Sequence, residues 1–265
     1  MTQRILLIAV VTCYCGGVTG PAVAELVTLS SGNSVARIDT GSALGLYSWT
    51  VDGVEHLSAQ QLWFRIGDNE ENPISSAEPV GFTTNGQSAT VQFAQGLFDV
   101  DLNYALVGGA LGSGQSQLAH IITLTNVADV PLDLHLFQYV DLDVDGEFDF
   151  NSVSFLSNDL ARQIGPSGSI ATVAVSDLLS SHRQVAFYPE LLDALSDLSP
   201  TTLSDFTGPL AGDLTFAFQW DLTLGVGEVA SLTLNENLIP EPASLVCLAL
   251  CAAILLQRRL RGCVP

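Results

Sequence analysis

Apolar and polar residues alternate along most of the chain between residues 25 and 239. In Leu214–Leu224 the even positions are Leu214, Phe216, Phe218, Trp220, Leu222 and Leu224, and the odd ones are Thr215, Ala217, Gln219, Asp221 and Thr223. A period of two puts alternate side chains on opposite faces of an extended strand, so this segment predicts a strand with one face in a core. Phe98, Val100, Leu102, Tyr104 and Leu106 repeat the pattern against Asp99, Asp101 and Asn103, as do Leu118, Ile122 and Leu124. The longest run is Leu132–Val144. Leu132, Leu134, Leu136, Val140, Leu142 and Val144 face one way, with Gln138 the exception. Asp133, His135, Phe137, Tyr139, Asp141 and Asp143 face the other. Turn signals such as Asp52-Gly53, Asn85-Gly86 and Asp145-Gly146 separate the runs. Only Pro189–Asp197 reads as a helix, with Leu191, Leu192 and Leu195 on one side. Many short strands with Gly-rich turns predict an all-β fold: an antiparallel β-sandwich, of which a supersandwich is one form, with one short helix, over residues 25–238.

Charge narrows the partners. All 28 acidic residues lie between Glu25 and Glu241, against four Arg and no Lys in that span, a net charge of −24. Such a field repels phosphate backbones and excludes nucleic acid as a partner. The five Cys (Cys13, Cys15, Cys247, Cys251 and Cys263) all lie near the ends. The body therefore has no disulfide, thiolate metal site or Cys nucleophile.

The ends read as processing signals. Arg4, the apolar run Ile5–Thr12 and Ala22-Val23-Ala24 form a signal-peptide layout, cleaved after Ala24 by signal peptidase. At the other end Pro240-Glu241-Pro242 precedes an uncharged apolar run, Leu245–Leu256, and then Arg258, Arg259 and Arg261. As a helix the apolar piece spans roughly 21 Å. It predicts a short transmembrane anchor whose Arg cluster stops on the cytoplasmic side.

These three parts in order, over residues 239–261, resemble the PEP-CTERM sorting signal. The resemblance implies recognition at Pro240, Glu241 and Pro242 by an exosortase, transient single-pass anchoring, and removal of the helix. The body resembles a domain that recurs in such proteins, through Ser48-Trp49-Thr50-Val51-Asp52-Gly53, Phe137-Gln138-Tyr139-Val140-Asp141 and Phe218-Gln219-Trp220-Asp221. That likeness implies an architecture and an exported setting, and no chemistry.

Two constellations are candidates for binding. Asp141, Asp143, Asp145, Glu147 and Asp149, with Gly146, follow the spacing of a calcium loop, although Ser152 stands where an EF-hand has Glu. In an extended strand Asp141 and Asp145 would lie about 13 Å apart. Ca2+, the one cofactor candidate, therefore requires the chain to curl there; otherwise the run is a solvated acidic strand end. The stripe of His135, Phe137 and Tyr139, with Trp49 and Trp63, offers rings for stacking on a glycan, unless a loop covers it. His120 shares a face with core residues, and His56 and His182 stand in no metal-ligand spacing. No hydrolase, zinc-protease or phosphate-loop motif occurs. With 28 carboxylates, sequence alone selects no catalytic pair. The expectation is a non-enzymatic, exported protein of the cell surface or extracellular matrix, structural or adhesive, with exopolysaccharide as partner. The alternative is a carbohydrate-active enzyme, mutarotase-, lyase- or glycosidase-like, on the same sandwich.

Overall fold

The alternating segments become two nine-stranded sheets packed face to face. The computed structural model describes residues 26–240. In chain order the strands are β1 (Leu26–Ser31), β2 (Ser34–Asp39), β3 (Gly45–Val51), β4 (Val54–Glu55), β5 (Ala59–Ile66), β6 (Asn72–Pro73), β7 (Glu78–Thr84), β8 (Ser88–Ala94) and β9 (Phe98–Gly108). They continue as β10 (Ser116–Asn126), β11 (Leu132–Asp141), β12 (Asn151–Ser157), β13 (Leu160–Ile164), β14 (Ile170–Ser176), β15 (His182–Phe187), β16 (Leu210–Gly212), β17 (Leu214–Leu224) and β18 (Val229–Ile239). The single α-helix, α1, is Glu190–Ser196, inside the predicted segment. The first sheet runs β1-β2-β3-β5-β11-β17-β15, with β4 on β3 and β6 on β5. The second runs β16-β12-β13-β14-β18-β10-β9-β8-β7. Pairing is antiparallel except for a short parallel contact between β3 and β5. The predicted antiparallel sandwich is the observed fold. The predicted signal peptide, transmembrane helix and Arg cluster lie outside the described residues, as do Glu241 and Pro242.

The two inner faces make the core. Phe216, Phe218 and Trp220 of β17 are all at most 1% exposed, and Phe155 of β12 meets Phe216 and Phe218 edge to face at 6.0 and 5.2 Å. Trp49 donates its Nε1–H across the sandwich to Ser116 Oγ at 3.0 Å. Two charged-type residues also lie inside. Glu236 of β18 is 1% exposed and accepts a 2.5 Å bond from Gln60 Nε2 of β5. The Glu236 Oε2 and Gln60 Oε1 atoms have no partner. His120 stacks on Tyr104 at 4.3 Å with neither ring nitrogen bonded, and burial pushes it down to about 3, so it stays neutral.

The longest predicted strand stops three residues early. β11 ends at Asp141, although Leu142 and Val144 continue to point into the core. The chain bends at Asp143 and turns through Asp145 and Gly146, at φ 69° and 75°. Positive φ at both positions is what an Asp-Gly pair tolerates, so the turn signal, not the alternation, sets the strand end.

Candidate functional site

Register defines the outer face of the first sheet. Pairing of β11 with β5 and β17, and of β15 with β17, puts Gln61, Trp63, Arg65, His135, Phe137, Tyr139, Asp141, Ala217, Gln219, Asp221, His182 and Gln184 on that side. Its middle is covered. Leu191 and Leu195 of α1, together with Leu203, pack against Trp63, Phe137, Tyr139 and Ala217. An i, i+4 leucine pair gives a two-turn helix just enough apolar face to dock. Polar groups of the face hold the rest of this strap. Gln219 Oε1 accepts from Leu203 N–H at 2.8 Å, and Gln184 Oε1 from Ser204 N–H at 2.7 Å. Glu71 Oε1 accepts from Thr201 N–H at 2.8 Å, while Arg65 Nη1 donates to the Thr201 carbonyl at 2.8 Å and to Glu71 at 3.2 Å.

The glycan stripe is therefore corrected. Phe137 and Tyr139 are fully buried and Trp63 is 5% exposed, all beneath the strap, and Trp49 is buried between the sheets. None presents a ring face to solvent. Replacing Leu195 by Asp would bury a carboxylate against the rings of Trp63 and Phe137. The expected result is a strap released from an otherwise intact sandwich, at a cost of roughly 2–5 kcal/mol. Limited proteolysis would read it as new cuts confined to residues 190–207, with the far-UV spectrum kept.

His135 remains half-buried at one end of the strap, in a polar array. Its Nδ1 lies 2.5 Å from Asp221 Oδ1, and His182 Nε2 lies 3.5 Å from Asp221 Oδ2. His182 Nδ1 meets Asp205 Oδ2 at 2.8 Å, which holds the Asp205 carboxyl below the usual carboxylate range. His182, isolated in the sequence, thus shares a carboxylate with His135. Asp205 belongs to the strap, so this array closes its far end.

At the opposite end, Asp141, itself only 7% exposed, begins an acidic segment. Three segments converge there. Asn151 pairs with Gly212, and the Tyr188 N–H donates to the Asp213 carbonyl at 3.1 Å. This brings Phe148–Asn151, Gly212–Asp213 and Phe187–Tyr188 alongside the end of β11. Tyr139 OH donates to Asp141 Oδ2 at 3.4 Å. The fully buried Thr215 hydroxyl lies beside the same phenol without meeting hydrogen-bond geometry. Burial, reinforced by Asp143 and Asp213, pushes the Asp141 carboxyl up to about 7. Burial, with Asp213 and Glu55, pushes Asp143 up to about 6. Asp213 is raised by burial and by Asp149. Around these carboxyls stand exposed rings: Phe148 at 63%, Phe150 at 77%, Phe187 at 44% and Tyr188 at 49%. Exposed rings at this density are what a sugar face stacks on. Two coupled carboxyls titrating near neutrality supply one acid and one base together.

The five residues of the candidate calcium loop part company here. Asp141 and Asp143 belong to the acidic end. Asp145 turns away: its carboxylate accepts from Ser167 N–H at 2.9 Å, and its own N–H donates to His56 Nδ1 at 3.1 Å. Glu147 is exposed, and Asp149 acts on Asp213. The chain curls, as a calcium loop requires, but the curl disperses the oxygens. Among the described residues no group of three or more His, Cys, Asp or Glu could hold a metal ion. Sequence reading missed Asp213 and the exposed rings. The available signal was Phe148-Asp149-Phe150 and Phe187-Tyr188, adjacent aromatics that fit no core alternation.

No family model and no curated protein matches the chain. Solved structures match its fold. A bacterial glucoamylase complexed with acarbose superposes with a TM-score of 0.59 at 7% identity, over 84% of this chain and 34% of that one. The chain thus spans about a third of the glucoamylase. An aldose epimerase homologue from C. elegans matches with a TM-score of 0.56 at 9% identity, over 83% of this chain and all of the other. A polysaccharide lyase matches at 0.53 and 13% identity, over 81% of this chain and 34% of the lyase. The likeness is one of fold, shared with a glucoamylase, an aldose epimerase homologue and a polysaccharide lyase. It corrects the structural or adhesive role expected from the sequence, since these neighbours fit the carbohydrate-active alternative better.

Proposed function

We propose that the protein is a carbohydrate-active enzyme that performs acid–base chemistry at the anomeric centre of a sugar, at the Asp141–Asp143 end of the outer face. One observation carries this reading: two neighbouring carboxyls, Asp141 buried and Asp143 half-buried, are pushed up to about 7 and about 6 in a segment that also carries exposed aromatic rings. The fold likeness to an aldose epimerase homologue supports it. Near pH 6.5 the pair holds one proton. The protonated carboxyl, predominantly Asp141, gives that proton to the ring oxygen. The ionised one, predominantly Asp143, takes the proton from the anomeric hydroxyl. The C1–O5 bond breaks, C1 becomes a carbonyl, and its rotation followed by the reverse transfers yields the other anomer. Tyr139 OH steadies Asp141, and Phe148, Phe150, Phe187 and Tyr188 would flank the sugar. Saturation-transfer NMR of anomer exchange tests this with glucose, galactose, glucosamine and N-acetylglucosamine. Acceleration over buffer by the native protein for at least one sugar, absent in Asp141→Asn, is expected. Buffer-rate exchange of all four would overturn the reading.

The setting belongs to the same proposal. The export signal and the Pro240-Glu241-Pro242 motif with its apolar run and Arg cluster support delivery outside the cytoplasm through signal peptidase and an exosortase, to the cell surface or matrix. The expected intact mass of the mature protein lacks residues 1–24 and 243–265. A mass that retains 243–265 would remove the sorting step.

A further inference from the structure

The loop between β9 and β10 is tied down on its inner side and apolar at its tip. The Gly109 N–H donates to the Gln115 carbonyl at 3.0 Å, and the Ser113 N–H to the Ala110 carbonyl at 3.0 Å. Leu111 and Gly112 are therefore the corner residues of a tight turn. Asp52, in the turn after β3, clamps this loop. Its carboxylate accepts from the Gly112 N–H at 2.6 Å, the Gly114 N–H at 2.8 Å and the Asn33 side-chain amide at 2.8 Å. Positive φ at Gly112 and Gly114, 77° and 62°, lets the backbone take this path without a side-chain clash. Leu111 is left in water, at 87% the most exposed large apolar side chain among the described residues. A lone exposed leucine is ordinary; its surroundings are not. Residues 107–115 carry no charge, although the chain has 28 acidic residues between Glu25 and Glu241 against four Arg. Val107 and Ile239, next to the loop, are also exposed. The chain leaves the sandwich at this loop: a Cβ on Gly114 would meet the Pro240 ring at 2.9 Å. The apolar run Leu245–Leu256 starts five residues after Pro240, at most about 18 Å of extended chain.

Resting on the proposed anchoring by that run, we propose that the 109–115 loop is a second membrane contact, which sets Leu111 into the headgroup–acyl boundary of the bilayer. With the run seated in a membrane, the short connection keeps Pro240, and the loop packed on it, within reach of the lipid surface. Burying Leu111 there removes apolar area from water, and the uncharged tip brings no ion to desolvate. The clamp by Asp52 makes the contact a stiff one. One leucine adds little to the anchor's hold; its effect is to fix how the sandwich sits on the surface.

The test places the full chain in phosphatidylcholine vesicles whose acyl chains are brominated near the headgroup, because bromine quenches only tryptophan that touches it. The native Trp49, Trp63 and Trp220 are at most 5% exposed and give a constant background. Leu111→Trp adds a reporter at the tip. Val226→Trp adds one at a turn that is 61% exposed, just before the opposite end of β18 from Ile239. Those two ends of the strand lie roughly 33 Å apart. Both variants are expected to float with the vesicles as the native chain does. Brominated lipid is expected to lower the added emission of Leu111→Trp about twofold or more and to leave Val226→Trp unchanged. Flotation with no quenching at position 111, or with equal quenching at 111 and 226, would overturn the contact and leave the anchor standing. Failure of the native chain to float would overturn the anchor and the contact together.

Discussion

Glu236→Gln is expected to melt roughly 6–12 °C above the native protein at pH 8 and at the same temperature at pH 4. Glu236 is 1% exposed, and burial raises its carboxyl from 4.5 to about 7 against the pull of the Gln60 hydrogen bond. Below pH 4.5 it is protonated both folded and unfolded, so it has no effect on the folding equilibrium. Between 4.5 and about 7 the unfolded chain releases the proton and the folded one keeps it, so stability falls as pH rises. Above 7 the whole penalty is present, roughly 3 kcal/mol at 1.36 kcal/mol per unit. A Gln at 236 removes the penalty. It can also donate to Gln60 Oε1, which has no partner now, while accepting from Gln60 Nε2. A degree of melting is worth roughly a quarter to half a kcal/mol at this size. His120 acts with the opposite sign. Held neutral down to about 3, it costs stability as pH falls below 6.5, because the unfolded imidazole takes up a proton. The native curve is therefore a dome, and the difference between the two proteins isolates Glu236. Coincident curves at pH 8 would show that position 236 is not a buried charge.

The second large effect couples activity to stability in opposite directions. Asp141→Asn is expected to lower anomer exchange by about 10²–10⁴-fold, the range for loss of a general acid or base. The same substitution should raise the melting temperature at pH 8. The Asp141 carboxyl is destabilising when ionised, because burial and the neighbouring Asp143 and Asp213 oppose its charge. That penalty enters between pH 3.8 and about 7, so the gain should vanish at pH 3.5. The native rate should follow a bell with limbs near 6 and 7, belonging to the Asp141–Asp143 pair and not to either residue alone. Loss of activity together with loss of stability would instead mark Asp141 as a structural support.

The all-β sandwich was legible because strand periodicity is local. Leu214–Leu224 reads as a strand in the sequence and is β17 to the residue, and the leucines of Pro189–Asp197 mark α1. The site was less legible because its environment comes from far along the chain. Phe137 and Tyr139 alternate away from the core, and their side of the sheet was read correctly. Their cover comes from Leu191, Leu195 and Leu203, more than fifty residues later, and no pattern within β11 records it. Asp141 and Asp143 stood out in the sequence as metal ligands. Asp213, which helps to raise both, reaches them only once β17 pairs with β11. Asp145 fits the metal spacing, yet its carboxylate is engaged by Ser167, from a turn twenty-two residues on.

The chain leaves the sandwich at the same end as the acidic site. Gly146 rests against Val54 and Glu55, the adjoining Asp52 carboxylate accepts from the Gly112 and Gly114 N–H groups, and Gly114 lies against Pro240. Ile239 pairs with Ile170, beside the Ser167 turn that engages Asp145. Pro240 therefore lies on the side of the sandwich that carries the turns at Asp52 and Gly146. On the proposed sorting route, that side would be the one nearest the membrane until the cut, and the cut would change which polymers the molecule meets without altering a residue of the sandwich.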